Sequence, residues 1–63
     1  MPIVQIDILA GRTVEQKREM ARRVTEAITD TLKCPAEAVR IIIRDMAPEN
    51  YASAGVLRVD EKK

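Results

Sequence analysis

The chain has 63 residues with one cysteine, Cys34, and no histidine, so neither an intrachain disulfide nor the common His/Cys zinc frameworks can reinforce it. Its net charge of +1 is far from the excess that marks a nucleic-acid binder, and no apolar run approaches the roughly 18–20 residues that span a bilayer. A folded monomer of this length buries only about 60% of the surface of its unfolded chain, so residues 1–63, read as one domain, are expected to gain stability by meeting other copies of themselves.

Residues 2–9 read as a strand. Val4, Ile6 and Ile8 alternate with Gln5 and Asp7, while Ile3 and Leu9 make the second face partly apolar. Gly11 breaks the strand. Thr13 and Gln16 have capping-box spacing, with Glu15 in the first turn where the helix dipole favours an anion. The helix is expected over residues 14–33, with Met20, Val24, Ala27, Ile28 and Leu32 as its apolar stripe and Lys17, Arg18, Arg22, Arg23 and Glu26 mostly on the wet face. Pro35 ends it and restricts Cys34 to extended geometry.

A single helical turn is expected at residues 35–38. Residues 39–46 carry the strongest strand signal, with Val39, Ile41 and Ile43 on one face and Arg40, Ile42 and Arg44 on the other. Residues 48–51 read as a tight turn, 52–55 as a small-residue loop, 56–59 as a short strand or hairpin arm and 60–63 as a charged, frayed tail. The fold class is therefore α+β: two parallel strands joined by one long helix in a right-handed crossover, plus a short C-terminal hairpin. Pairing of two copies gives a four-stranded sheet.

Three residues can carry chemistry. Pro2 follows Met1; once Met1 is cleaved, its ring nitrogen is a secondary amine with a lone pair held in a nearly fixed direction. Neighbouring cations and an apolar pocket lower the basicity of such an amine toward working pH, as proton transfer requires. The plainer role is a strand-start residue. Arg12 is either a solvated loop cation or an anion ligand. Arg40, in an apolar strand, either faces water or must find a carboxylate, because an unpaired buried guanidinium is expensive. Tyr51, the sole aromatic, either walls a pocket or fills an oligomer contact. Cys34 reads as a small buried filler and Arg44 as a surface or subunit-contact residue.

Taken in order, Met1-Pro2-Ile3, then Ile6, Ile8, Leu9, Gly11 and Arg12, the Glu15-Gln16-Lys17 helix start, Val39-Arg40, Ile42-Ile43, Met46-Ala47, and an aromatic at 51 followed by small residues and Gly55, resemble the 4-oxalocrotonate tautomerase family over nearly the whole chain. The resemblance implies a β-α-β fold pairing into dimers, commonly assembled as a hexamer, a trimer of dimers. It implies Pro2 as the general base that moves a proton between atoms of a 2-hydroxydienoate, 2-hydroxymuconate from aromatic hydrocarbon catabolism being the archetype. Arg12 then holds the distal carboxylate. Arg40, from a neighbouring chain, binds the 2-oxo acid end and stabilises enolate charge. Leu9, Tyr51 and Ser53 fall at substrate-binding positions. Tyr51 stands where phenylalanine is usual and Ser53 where an apolar residue is, which leaves the substrate open. No cofactor or metal is implied, the expected ligand is a small dicarboxylate or 2-oxo acid, and the expected setting is cytoplasmic. The rivals are the same fold acting on another substrate, in a biosynthetic pathway or as a dehalogenase or hydratase, and a non-catalytic oligomerisation domain.

Overall fold

The computed structural model describes residues 1–61. Strand β1 (Ile3–Leu9) leads to helix α1 (Val14–Leu32), a 3-10 turn at Ala36–Ala38 and strand β2 (Arg40–Met46). A second 3-10 turn at Pro48–Asn50, the two-residue strands β3 (Ala52–Ser53) and β4 (Val56–Leu57), and a third 3-10 turn at Arg58–Asp60 complete the order. The expected tail at residues 60–63 thus begins in an ordered turn; Lys62 and Lys63 lie outside the described residues.

β1 and β2 pair in parallel from Ile3↔Arg40 to Leu9↔Met46. The ladder is extended at both ends, where the Arg40 amide donates to the Pro2 carbonyl (3.0 Å) and the Ala10 amide to the Met46 carbonyl (2.8 Å). Alternation sorts the side chains as expected: Val4, Ile6, Ile8, Ile41 and Ile43 are half-buried on the face toward α1, whereas Ile3, Gln5, Arg40, Ile42 and Arg44 are exposed on the other.

The capping box at Thr13 forms in both directions, the Gln16 amide donating to the Thr13 hydroxyl (3.1 Å) and the Thr13 amide to the Gln16 side chain (2.9 Å). The helix ends one residue earlier than expected, because Lys33 turns into the left-handed region (φ 55°, ψ 47°) and donates its amide to the Thr29 carbonyl at 3.0 Å. The inward stripe also differs from expectation. Met20, Ala21, Val24, Thr25 and Ile28 are half-buried, while Ala27 and Leu32 are exposed. The inward arc is centred between the Met20–Val24–Ile28 row and the Ala21–Thr25 row, which turns Ala27 away. Nineteen helical residues reach about 28 Å and a seven-residue strand about 23 Å, so Leu32 lies past the sheet. Lys17, expected on the wet face, instead reaches Asp45 at the end of β2 (2.6 Å).

The last segment is more ordered than the loop expected at residues 52–55. Ala54 (φ 54°) and Gly55 (φ 81°) both have positive φ, as a type I′ hairpin requires, and the pairs Ser53↔Val56 and Ala52↔Leu57 follow outward.

None of the described residues is fully buried. The accessible surface is 5113 Å², against about 4,100 Å² for a compact monomer of 7.1 kDa. The radius of gyration is 15.0 Å, against about 11 Å for a compact domain of this length. Ile3, Ile42, Val56 and Val59 are among the exposed apolar side chains. The chain by itself therefore has a sheet face and an arm but no closed core. No helix among the described residues is long and apolar enough to cross a membrane.

Candidate functional site

The six candidate residues fall into two groups at opposite ends of β1. Pro2 and Arg40 occupy one end, where a backbone hydrogen bond joins them. Their side chains nevertheless diverge. Arg40 is the register partner of Ile3 on the exposed face, whereas Pro2 has the parity of Val4 on the half-buried face. The Pro2 nitrogen carries the Met1 acyl group, and Met1 is 84% exposed; as an amide that nitrogen has no basic lone pair, and only loss of Met1 makes it an amine.

Arg12 stands at the other end, at least about 20 Å from Pro2 along β1. Gly11, at φ +125°, turns the chain there; a Cβ at Gly11 would meet nothing within 4 Å, so backbone conformation and not space calls for glycine. The turn sets Arg12 between two clefts. One, of about 260 Å³, is lined by Ile8, Gln16, Lys17 and Met20 together with Arg12. The other, of about 320 Å³, is lined by Leu9, Ala10, Gly11, Arg12, Pro48 and Arg58. Leu9 and Arg12 thus meet in one cavity, and neither cleft includes Pro2 or Arg40.

Tyr51 and Ser53 sit on the C-terminal arm, with Tyr51 43% exposed. The Tyr51 carbonyl accepts from the Arg58 amide at 2.7 Å, which carries the β3–β4 pairing one step outward and sets Arg58 across from Tyr51. Arg58 escaped sequence reasoning because residues 52–55 looked like loop. Counting outward from a two-residue Ala54-Gly55 turn (53 with 56, 52 with 57, 51 with 58) would have found it.

Charge pairing separates the arginines. Arg18 pairs with Glu15, Arg22 and Arg23 with Glu19, Arg44 with Asp7 and Arg58 with Glu61. Arg12 and Arg40 alone have no ion-pair partner among the described residues, and both are exposed. Two guanidiniums without counter-charges are what an anionic ligand would meet. Cys34 is half-buried and lines neither cleft.

The sequence pattern of the family described as "Tautomerase enzyme" matches residues 2–61. A probable tautomerase of Lactiplantibacillus plantarum is 40% identical over 62 residues, covering 98% of this chain and 97% of the relative. A solved 4-oxalocrotonate tautomerase homologue superposes with a TM-score of 0.93 at 36% identity over the whole of both chains. A heterohexameric 4-oxalocrotonate tautomerase from Chloroflexus aurantiacus superposes at 0.90 with 31% identity, covering 98% of this chain and 100% of that one.

Proposed function

This chain belongs to the tautomerase family, and from that premise we propose that it ketonises a 2-hydroxydienoate dicarboxylate resembling 2-hydroxymuconate, with Pro2 as the base after Met1 is removed. The whole of residues 1–63 acts as one domain in this reading, in the cytoplasm, in aromatic hydrocarbon catabolism and without a cofactor. The Pro2 amine accepts the proton of the substrate's 2-hydroxyl. The oxygen electrons form the 2-oxo group, the diene electrons shift along the chain, and the protonated amine returns the proton to a distal carbon. Atoms and charge balance with no external reactant.

The observation that carries the reading is that Arg12 and Arg40, unlike the other arginines, have no carboxylate partner among the described residues. Arg12 takes the distal carboxylate. Arg40 takes the 2-oxo acid end, where its fixed positive charge stabilises the enolate as it develops. Both guanidiniums also favour the neutral amine. Leu9, Tyr51 and Ser53 wall the substrate.

Pro2 and Arg12 of one chain are too far apart to share a substrate, so the site is assembled between copies. Two β1 edges paired about a two-fold axis run antiparallel, and Pro2 of one copy then lies beside Leu9 and Arg12 of the partner subunit. Arg40 at the site likewise comes from a neighbouring chain, since its own Pro2 faces away from it. A homo-oligomer follows, which we take to be a hexamer built as a trimer of such dimers; the relative from Chloroflexus aurantiacus is a hexamer too, of unlike chains.

The test combines intact-mass measurement with the ultraviolet assay of 2-hydroxymuconate ketonisation on one preparation. Loss of one methionine and a fall in rate of about 10²–10⁴ in Pro2→Ala are expected. Full activity in Pro2→Ala removes the mechanism; activity only toward a different 2-oxo acid moves the substrate; a chain that retains Met1 and turns over nothing is an assembly domain.

A further inference from the structure

We propose that Arg58 is a specificity-determining residue that shares the substrate's distal carboxylate with Arg12, an inference that rests on the tautomerase reading above. Arg12 and Arg58 line the same cleft of about 320 Å³, large enough for the end of a six-carbon dicarboxylate. Its other walls, Leu9 and Pro48 among them, offer apolar contact to the carbon chain.

Arg58 is held rather than loose. Its amide donates to the Tyr51 carbonyl (2.7 Å), and its carbonyl accepts from the Glu61 amide (3.2 Å). Its Nη1 donates to the Glu61 Oε1 at 3.2 Å. A guanidinium has five N–H donors, so one bond to Glu61 orients the group and leaves others for a ligand. The charge count in the cleft points the same way. Arg12 and Arg58 bring two positive charges to its lining and Glu61, which pairs with Arg58 but does not line the cleft, one negative, leaving one positive charge that a single carboxylate neutralises. Bidentate guanidinium–carboxylate geometry makes such an end selective for a planar anion.

The second cleft beside Arg12 does not offer the same arrangement. Its other cation, Lys17, is held by Asp45 at 2.6 Å, a closer pairing than the 3.2 Å between Arg58 and Glu61, and an ammonium lacks the planar fork that a guanidinium keeps for a second carboxylate. The Arg58 cleft also contains Leu9, and Arg58 lies across the hairpin from Tyr51. Arg58 therefore links Leu9 and Arg12 at the end of β1 to Tyr51 on the C-terminal arm. It makes the enzyme prefer dicarboxylates over monocarboxylates.

Binding and turnover are to be measured on the assembled protein for wild type, Arg58→Ala and Arg58→Lys. The substrates are 2-hydroxymuconate and 2-hydroxypenta-2,4-dienoate, which lacks the distal carboxylate. For Arg58→Ala, KM for the dicarboxylate is expected to rise about tenfold or more with kcat nearly unchanged, KM for the monocarboxylate to stay within twofold, and Arg58→Lys to recover part of the loss. NMR titration with cis,cis-muconate, which has no hydroxyl proton to transfer, gives a readout independent of turnover. It should show the same weakening in Arg58→Ala and ordinary binding in Pro2→Ala. Unchanged muconate affinity in Arg58→Ala overturns the assignment of Arg58, as does an equal loss for both substrates. Full activity in Pro2→Ala, by contrast, overturns the mechanism and leaves the binding result to stand.

Discussion

Glu19 sits between Arg22 and Arg23 on the outer side of α1, and its carboxyl is held down at about 2 from an ordinary 4.5, first by the Arg22 side-chain hydrogen bond and then by that of Arg23. Arg22 is correspondingly raised. A carboxyl with a depressed value in the folded state stabilises the fold above its ordinary value, and that contribution fades as pH falls from about 4.5 toward 2. The side chain is exposed, so the effect is local and salt-sensitive. Arg22→Ala should move the Glu19 titration midpoint upward toward its ordinary value in a carbon-detected NMR titration; an unmoved midpoint would show that the pair does not persist in solution. The pairing bears on function because it commits the helix arginines to carboxylates on their own helix. Arg12 and Arg40 are left as the two arginines with no carboxylate partner among the described residues.

At the scale of elements, the C-terminal hairpin is the least settled piece. Ala54 takes the left-handed conformation at the first central position of a turn that favours asparagine or glycine. An L-residue with a Cβ pays about 1 kcal/mol there. Ala54→Asn is expected to stabilise the arm by about 0.5–1 kcal/mol, seen as a higher Tm and slower amide exchange at Ser53 and Val56; unchanged exchange would mean that the arm is held by other contacts. The two main strands and the helix start were legible because each carries its own signal. Alternation of Val4, Ile6, Ile8, Ile41 and Ile43 gives the faces, and Thr13 with Gln16 gives the cap. The C-terminal hairpin was expected too, but its first arm at Ala52–Ser53 was not, because two-residue strands are too short for alternation to register and a turn with alanine at its first central position lacks the usual Asn-Gly signature. Ala21 and Thr25, less apolar than Leu32, were passed over on the helix because the length of the sheet, which decides what lies over it, is not a property of the helical sequence. Pro2, Arg12 and Arg40 stood out by position, but their distance apart is a fact of topology.

For the molecule as a whole, surface and chemistry lead to the same requirement. A lone chain exposes about 1,000 Å² more than a compact protein of its mass, comparable to the roughly 800 Å² per partner of a standard stable interface. Its candidate base and its candidate carboxylate ligand stand at opposite ends of one strand. In the proposed assembly, pairing of copies closes the core and completes the site together, so the proposal assigns activity to the assembly and not to the chain. Subunit complementation tests this directly. Pro2→Ala and Arg12→Ala chains, each strongly impaired alone, are to be unfolded together, refolded one to one and assayed. Random pairing makes half of the dimers mixed, and each mixed dimer holds one site with both an intact Pro2 and an intact Arg12, so about a quarter of wild-type activity should return. A refolded mixture no more active than its two parents would contradict a site shared between chains.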